Sequence, residues 1–212
     1  MIPDLTLFTT QFATLWIMLD PVGHLPLFLG ATGTLSTKDR RLTALYAAIF
    51  AFLILVFFGF AGQALLHAMG VSLLAFQIAG GLILLLFSIN MVLGESKPST
   101  QLPDSAAEGR PINLAVFPLA TPIMAGPGAI LTIVLLMDNN RLSFVEQLET
   151  VAALALVLVC LTSVFLLGDY IIRLIGQPGI NVARRIMGMV LAAVAVNLIV
   201  TAFAKWLSLP PI

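Results

Sequence analysis

Leu19-Asp20-Pro21-Val22-Gly23-His24-Leu25-Pro26 interrupts an apolar run that extends from Leu5 to Ala31. A proline inside a helix removes one backbone hydrogen bond and clashes with the carbonyl four residues earlier, at about 3 kcal/mol or more. Here two prolines stand five residues apart, and an acid precedes the first. The same spacing returns in a second apolar run, as Thr121-Pro122 followed by Gly126-Pro127-Gly128. In lipid, non-helical backbone survives only where protein or a water-filled cavity covers it. Two such interruptions in corresponding places therefore point to one site, with the breaks expected at 19–26 and 120–128.

The rest of the chain supplies the lipid context. Of 212 residues, 60% are hydrophobic and only 9% are charged, and the mean hydropathy is +1.09. A soluble domain carries about 25% charged residues, so this is a membrane protein. Six apolar runs approach or exceed the roughly 20 residues that a spanning helix needs: 5–31, 42–67, 72–93, 112–137, 150–173 and 182–205. The first has no basic segment before it and holds Asp20 at its centre, unlike a cleaved signal peptide. It is expected to remain in the mature protein.

Net charge is zero, yet the cations are uneven. Eight of ten lie in the first, third and fifth loops or beside them: Lys38, Arg40, Arg41, Lys97, Arg110, Arg173, Arg184 and Arg185. The positive-inside bias then makes those loops cytoplasmic and puts both termini outside the cytoplasm.

The least apolar stretch, 94–111, reads as a cytoplasmic linker between a first three-helix unit, 1–93, and a second, 112–212. The halves share spaced features. Asp20-Pro21 matches Thr121-Pro122 at an offset of 101, Gly62 and Gly70 match Gly168 and Gly176 at 106, and Gly81 and Asn90 match Gly188 and Asn197 at 107. An odd number of spans per half inverts the second half. The expected fold is all-α: six transmembrane helices in two inverted repeats, the first and fourth discontinuous. Secondary transporters repeatedly use that design, with the binding site near the bilayer midplane.

Helix ends in mid-membrane have their own chemistry. An N-terminal end presents free N–H groups and partial positive charge, suited to a carboxylate, whereas a C-terminal end offers carbonyls that suit an ammonium. Broken helices of opposite direction provide both, so a small zwitterion is the natural guest. Candidate binding residues are Asp20, Pro21, Gly23, His24 and Pro26 from the first break, and Thr121, Pro122, Gly126, Pro127 and Gly128 from the second. The glycines permit close backbone approach. Asp20, the one carboxylate at mid-depth, is a candidate ammonium partner and proton-coupling residue; capping a half-helix that starts near Pro21 is the alternative. Thr121-Pro122 repeats the cap arrangement without the charge. Asn90 and Asn197 would line the site or hydrogen-bond between helices, and His24 would titrate or bind ligand. Asp169 and Arg173 have the spacing of a helical ion pair.

Other chemistries lack their residues. One cysteine, Cys160, and two separated histidines give no metal or haem ligand set, and no cofactor is expected. The chain shows no phosphate-binding glycine loop, no nucleophile with a base, no ATP-binding domain and no basic patch for nucleic acid. An enzyme is not expected.

The first-break segment, together with Pro118-Leu119-Ala120-Thr121-Pro122-Ile123-Met124-Ala125-Gly126-Pro127-Gly128 and Arg185-Ile186-Met187-Gly188, resembles the MarC/SnatA (UPF0056) family of bacterial and archaeal inner-membrane proteins. The resemblance covers essentially the whole chain. It implies six spans and location in the cell (inner) membrane; transport of small neutral amino acids, glycine and alanine, is attributed to one branch. His24 stands where the family often has Asn. The expected function is thus a secondary transporter of small neutral amino acids by alternating access. A channel-like pore and a non-transporting scaffold subunit are the rivals. Expected partners are a small-molecule substrate and the lipid bilayer, and oligomeric state is left open.

Overall fold

In the computed structural model, residues 5–93, 111–138 and 142–208 are described, and all their regular elements are helices. The linker expected over 94–111 lies outside them, apart from Pro111. The first helix, α1 (Leu5–Leu19), stops at Asp20, and α2 (Leu25–Thr32) resumes the run. Pro26 falls in the first turn of α2, where a missing N–H costs nothing. Next come α3 (Thr37–Ala68) and α4 (Leu73–Leu93). Ser36 caps α3 by accepting the Asp39 N–H at 3.1 Å.

The second half opens with α5 (Pro111–Leu114), which continues into a kinked segment, Ala115–Met124, before α6 (Pro127–Leu136). Two longer helices follow, α7 (Phe144–Leu166) and α8 (Gly168–Trp206). A capping box between Ser143 and Glu146 starts α7 six residues before the apolar run at 150. Inside α8, Gly176 takes φ 71° and ψ 166°, a conformation open to glycine, and separates a short first part from Pro178–Trp206.

Four helices have the length and apolarity to cross a membrane: α3, α4, α7 and Pro178–Trp206. Pro111–Met124 with Pro127–Leu136, bent by 62°, makes a fifth if the pair is one span. The first apolar run is divided into α1 and α2, as the discontinuous first helix expected from the sequence. At 15 residues, α1 is about 22 Å long, short of the roughly 30 Å hydrocarbon layer.

Side-chain placement follows lipid physics. On α3, Ala44, Ala47, Ala51, Leu55, Gly59 and Gly62 face inward, while Leu45, Ile49, Leu53 and Phe57 face outward. Without water, close packing replaces the hydrophobic effect, so small residues occupy helix interfaces. The most extensive pairing joins α4 to α8, antiparallel. There Gly81 lies against the Ala195 carbonyl and Ile199, and Gly188 lies against the Ser88 carbonyl and Val92. Elsewhere α3 packs on the kinked segment, α6 and α7, and α1 packs on α6 and α7. Phe28 of α2 stacks on Phe165 of α7, centroids 4.3 Å apart. Gln63 and Gln77 donate across helices to the carbonyls of Val134 and Leu198, at 3.2 and 2.9 Å.

Asp169 does not pair with Arg173. Both its oxygens accept from Nη1 of Arg40, at 2.7 and 2.8 Å, because the start of α3 lies beside the end of α7. Those helices therefore run antiparallel.

Candidate functional site

The first break is a closed polar turn. Asp20 still donates its N–H to the Trp16 carbonyl at 3.1 Å, then turns to φ 38° and accepts the His24 N–H on its own carbonyl at 3.1 Å. Aspartate is one of few non-glycine residues suited to that left-handed conformation, because its side chain can hydrogen-bond locally. Here Oδ1 accepts the Gly23 N–H at 2.9 Å. The imidazole of His24 closes the other side, 2.7 Å from the Leu19 carbonyl. A carbonyl can only accept, so Nδ1 carries a proton.

Two polar atoms remain after these bonds. Asp20 Oδ2 and His24 Nε2 are buried and have no partner, although buried polar groups are nearly always paired. Asp20 makes the two bonds of a cap at the start of the turn 21–24, its carboxylate taking the Gly23 N–H and its carbonyl the His24 N–H, but that turn does not run on as a helix from Pro21. Regular helix begins at Leu25, with His24 in the cap position and making no cap bond. Glycine is required at 23 because a Cβ there would overlap the Asp20 carboxylate and come within 2.5 Å of Met91 Cε.

The second break is built from prolines. Phe117 (φ −134°, ψ 126°) and Thr121 (φ −133°, ψ 125°) are extended, each followed by a proline in a cis peptide. The Ala125 N–H bridges back to the Ala120 carbonyl at 2.7 Å. Gly126 then leads into α6 without a side-chain cap. The N–H groups of Gly128 and Ala129, in the first turn, have no carbonyl within the helix to bond.

A cavity of about 30 Å³ lies between the breaks. That is room for one or two waters. Met18 and His24 form one wall, Ile83, Leu84 and Phe87 of α4 a second, and Pro122, Ile123, Gly126, Pro127, Gly128 and Ala129 the third. His24 is the one titratable side chain on this surface, and its ring is 5.8 Å from that of Phe87. Gly128 admits the close approach of α4: a Cβ there would lie 2.7 Å from Leu84 Cδ1.

Of the twelve residues singled out in the sequence, His24, Pro122, Gly126, Pro127 and Gly128 line the cavity. Asp20 and Gly23 stand behind His24, joined to it through the turn. Pro21 is buried, Pro26 half-buried and Thr121 exposed, and none of the three lines the cavity. Asn90 and Asn197 are also exposed and outside it, because α4 and α8 face each other through Gly81, Ser88, Gly188 and Ala195. The α4 wall was missed. Ile83, Leu84 and Phe87 share a helical face, but a nearly uniform apolar helix gives no pattern to show which face turns inward. Among the described residues no His, Cys, Asp and Glu cluster could hold a metal.

Spanning helices with large side chains outside, small ones inside and a cavity between two helix breaks define a polytopic helical membrane protein. More narrowly, the chain belongs to the MarC family of integral membrane proteins, whose model matches residues 5–207. It is similar to a UPF0056 membrane protein of Methanocaldococcus jannaschii, 34% identical over 93% of this chain and 96% of the relative. Another from Aquifex aeolicus is 35% identical over 92% and 91%, and YhcE of Escherichia coli is 34% identical over 93% and 92%. No solved structure matches.

Proposed function

We propose that this protein is a secondary transporter of small neutral amino acids, glycine- or alanine-like, rather than an enzyme. Substrate binds between the two breaks and is exposed alternately to either side. The observation that carries this reading is the complementary set of polar groups that the breaks leave over. Asp20 Oδ2 and His24 Nε2 are buried without partners, His24 on the cavity wall and Asp20 behind it, whereas α6 starts without a side-chain cap, so its first N–H groups have no acceptor within the helix. An amino acid carries an ammonium for the first and a carboxylate for the second. The cavity, at about 30 Å³, suits a closed state that must widen to admit such a molecule.

Six spans in inverted repeats belong to the same proposal, with α1 and α2 as the broken first span. Reciprocal packing supports it. At the offset of 107, Gly81, Ser88 and Val92 correspond to Gly188, Ala195 and Ile199, and each glycine contacts the other half's counterparts of the same two positions. Likewise Gly62 meets Val134 of α6, and Gly168 meets Leu29 of α2. Repeats that interlock in this way can exchange conformations. Within the proposal the protein sits in the inner membrane of a bacterial or archaeal cell, both termini outside the cytoplasm, with Asp20 as the proton-coupling residue.

Counterflow tests the reading: purified protein in liposomes preloaded with unlabelled alanine should take up labelled glycine, alanine or serine transiently and saturably. Linear uptake without counterflow would indicate a pore. No flux of any of the three beyond protein-free liposomes would refute transport of this class.

A further inference from the structure

We propose that the cleft that α3 makes with α7 and the start of α8 is a binding site for an anionic phospholipid, headgroup in an arginine pocket and acyl chain in the groove below. This goes beyond the transport reading and does not depend on it. The pocket, about 230 Å³, is lined at its polar rim by Arg40, Arg41, Asp169, Tyr170 and Arg173. Three guanidiniums face one carboxylate, leaving two positive charges uncompensated. Asp169 is taken by Arg40 Nη1, and Arg40 Nε is buried without a partner. Among the described residues Arg41 and Arg173 have no ion-pair partner. The one other nearby acid on α3, Asp39, accepts from the Ser36 hydroxyl at 2.7 Å. Planar, multiply donating guanidiniums match phosphate oxygens.

Leu166 borders this pocket and also a second, about 470 Å³ groove between α3 and α7. Ala48, Phe52, Ala155 and Val159 make its walls apolar. Its two hydroxyls are spent within α7: Thr162 donates to the Leu158 carbonyl at 2.7 Å, and Ser163 to the Val159 carbonyl at 2.8 Å. A basic pocket opening directly onto an apolar, membrane-facing groove matches a charged headgroup joined to a hydrocarbon chain. Free phosphate would use only the upper part, and a neutral lipid only the lower.

The test is binding to purified full-length protein in detergent, followed by native mass spectrometry. The probes are phosphatidylglycerol, phosphatidylcholine with the same chains, and glycerol phosphate. Phosphatidylglycerol should bind about 10–30-fold more tightly than phosphatidylcholine, from roughly three- to fivefold per uncompensated arginine, and glycerol phosphate should bind far more weakly than the lipid. Arg41→Gln with Arg173→Gln should abolish the preference, and Ala48→Phe should weaken both lipids by filling the groove. Equal binding of the two lipids, glycerol phosphate binding as tightly as the lipid, or an unchanged preference in the double variant would each overturn the proposal. So would a dimer in the same spectra that covers the groove at Leu53, one of its lining residues, and excludes lipid.

Discussion

The two breaks interrupt their helices by opposite means. Around Asp20 the backbone is buried and closed by side chains: a carboxylate holds one N–H and an imidazole holds one carbonyl. Around Thr121 the backbone is opened by Pro118 and Pro122, and Thr121, Pro122 and Pro127 are exposed. The first arrangement places titratable atoms where water does not reach. The second leaves uncapped N–H groups and little side-chain bulk. The two breaks thus differ in what they leave over: the first has buried acceptors, the second N–H donors and space.

Removing the acceptor side should have the largest effect. Asp20→Ala leaves the Gly23 N–H unpaired and an alanine at φ 38°; with about 1–3 kcal/mol for a buried unsatisfied group, counterflow should fall by roughly 10–100-fold. Asp20→Asn keeps an oxygen for Gly23 and tolerates that backbone. It should retain counterflow within about tenfold of wild type but lose accumulation driven by a pH gradient; full accumulation would remove Asp20 from coupling. His24→Asn removes the imidazole from the cavity wall, and KM for alanine should rise about fivefold, from roughly 1 kcal/mol. Thr121→Val should change flux less than about twofold, as exposed substitutions are commonly within 0.5 kcal/mol. If Thr121→Val instead matched Asp20→Ala, the asymmetry between the breaks would be lost.

The sequence located both breaks because proline acts locally. The first, expected over 19–26, occupies 20–24; the second begins near Phe117 rather than Ala120, since Pro118 also bends the chain. What depends on docking was not legible. Asn90 and Asn197 match at an offset of 107, yet glycine faces direct α4 against α8 and leave both asparagines outside. Asp169 had a partner available four residues on, but the chain brings Arg40 to it from 129 positions away. For Asp20 the sequence offered capping as the alternative to a substrate or proton role, because Asp-Pro often starts a helix, and the cap-type bond is present. In the folded chain its side chain bonds Gly23 within a turn, and regular helix begins one residue after His24.

The central claim is that substrate occupies the space between the breaks. Gly128→Leu tests it most directly, since the added side chain would enter the cavity beside Leu84. Overpacking of this kind costs about 1–3 kcal/mol, so the variant should reconstitute as a folded protein. Labelled-alanine counterflow, measured beside wild type at equal protein per liposome, should be saturable for wild type and at the protein-free background for the variant. Wild-type counterflow by Gly128→Leu would contradict the account.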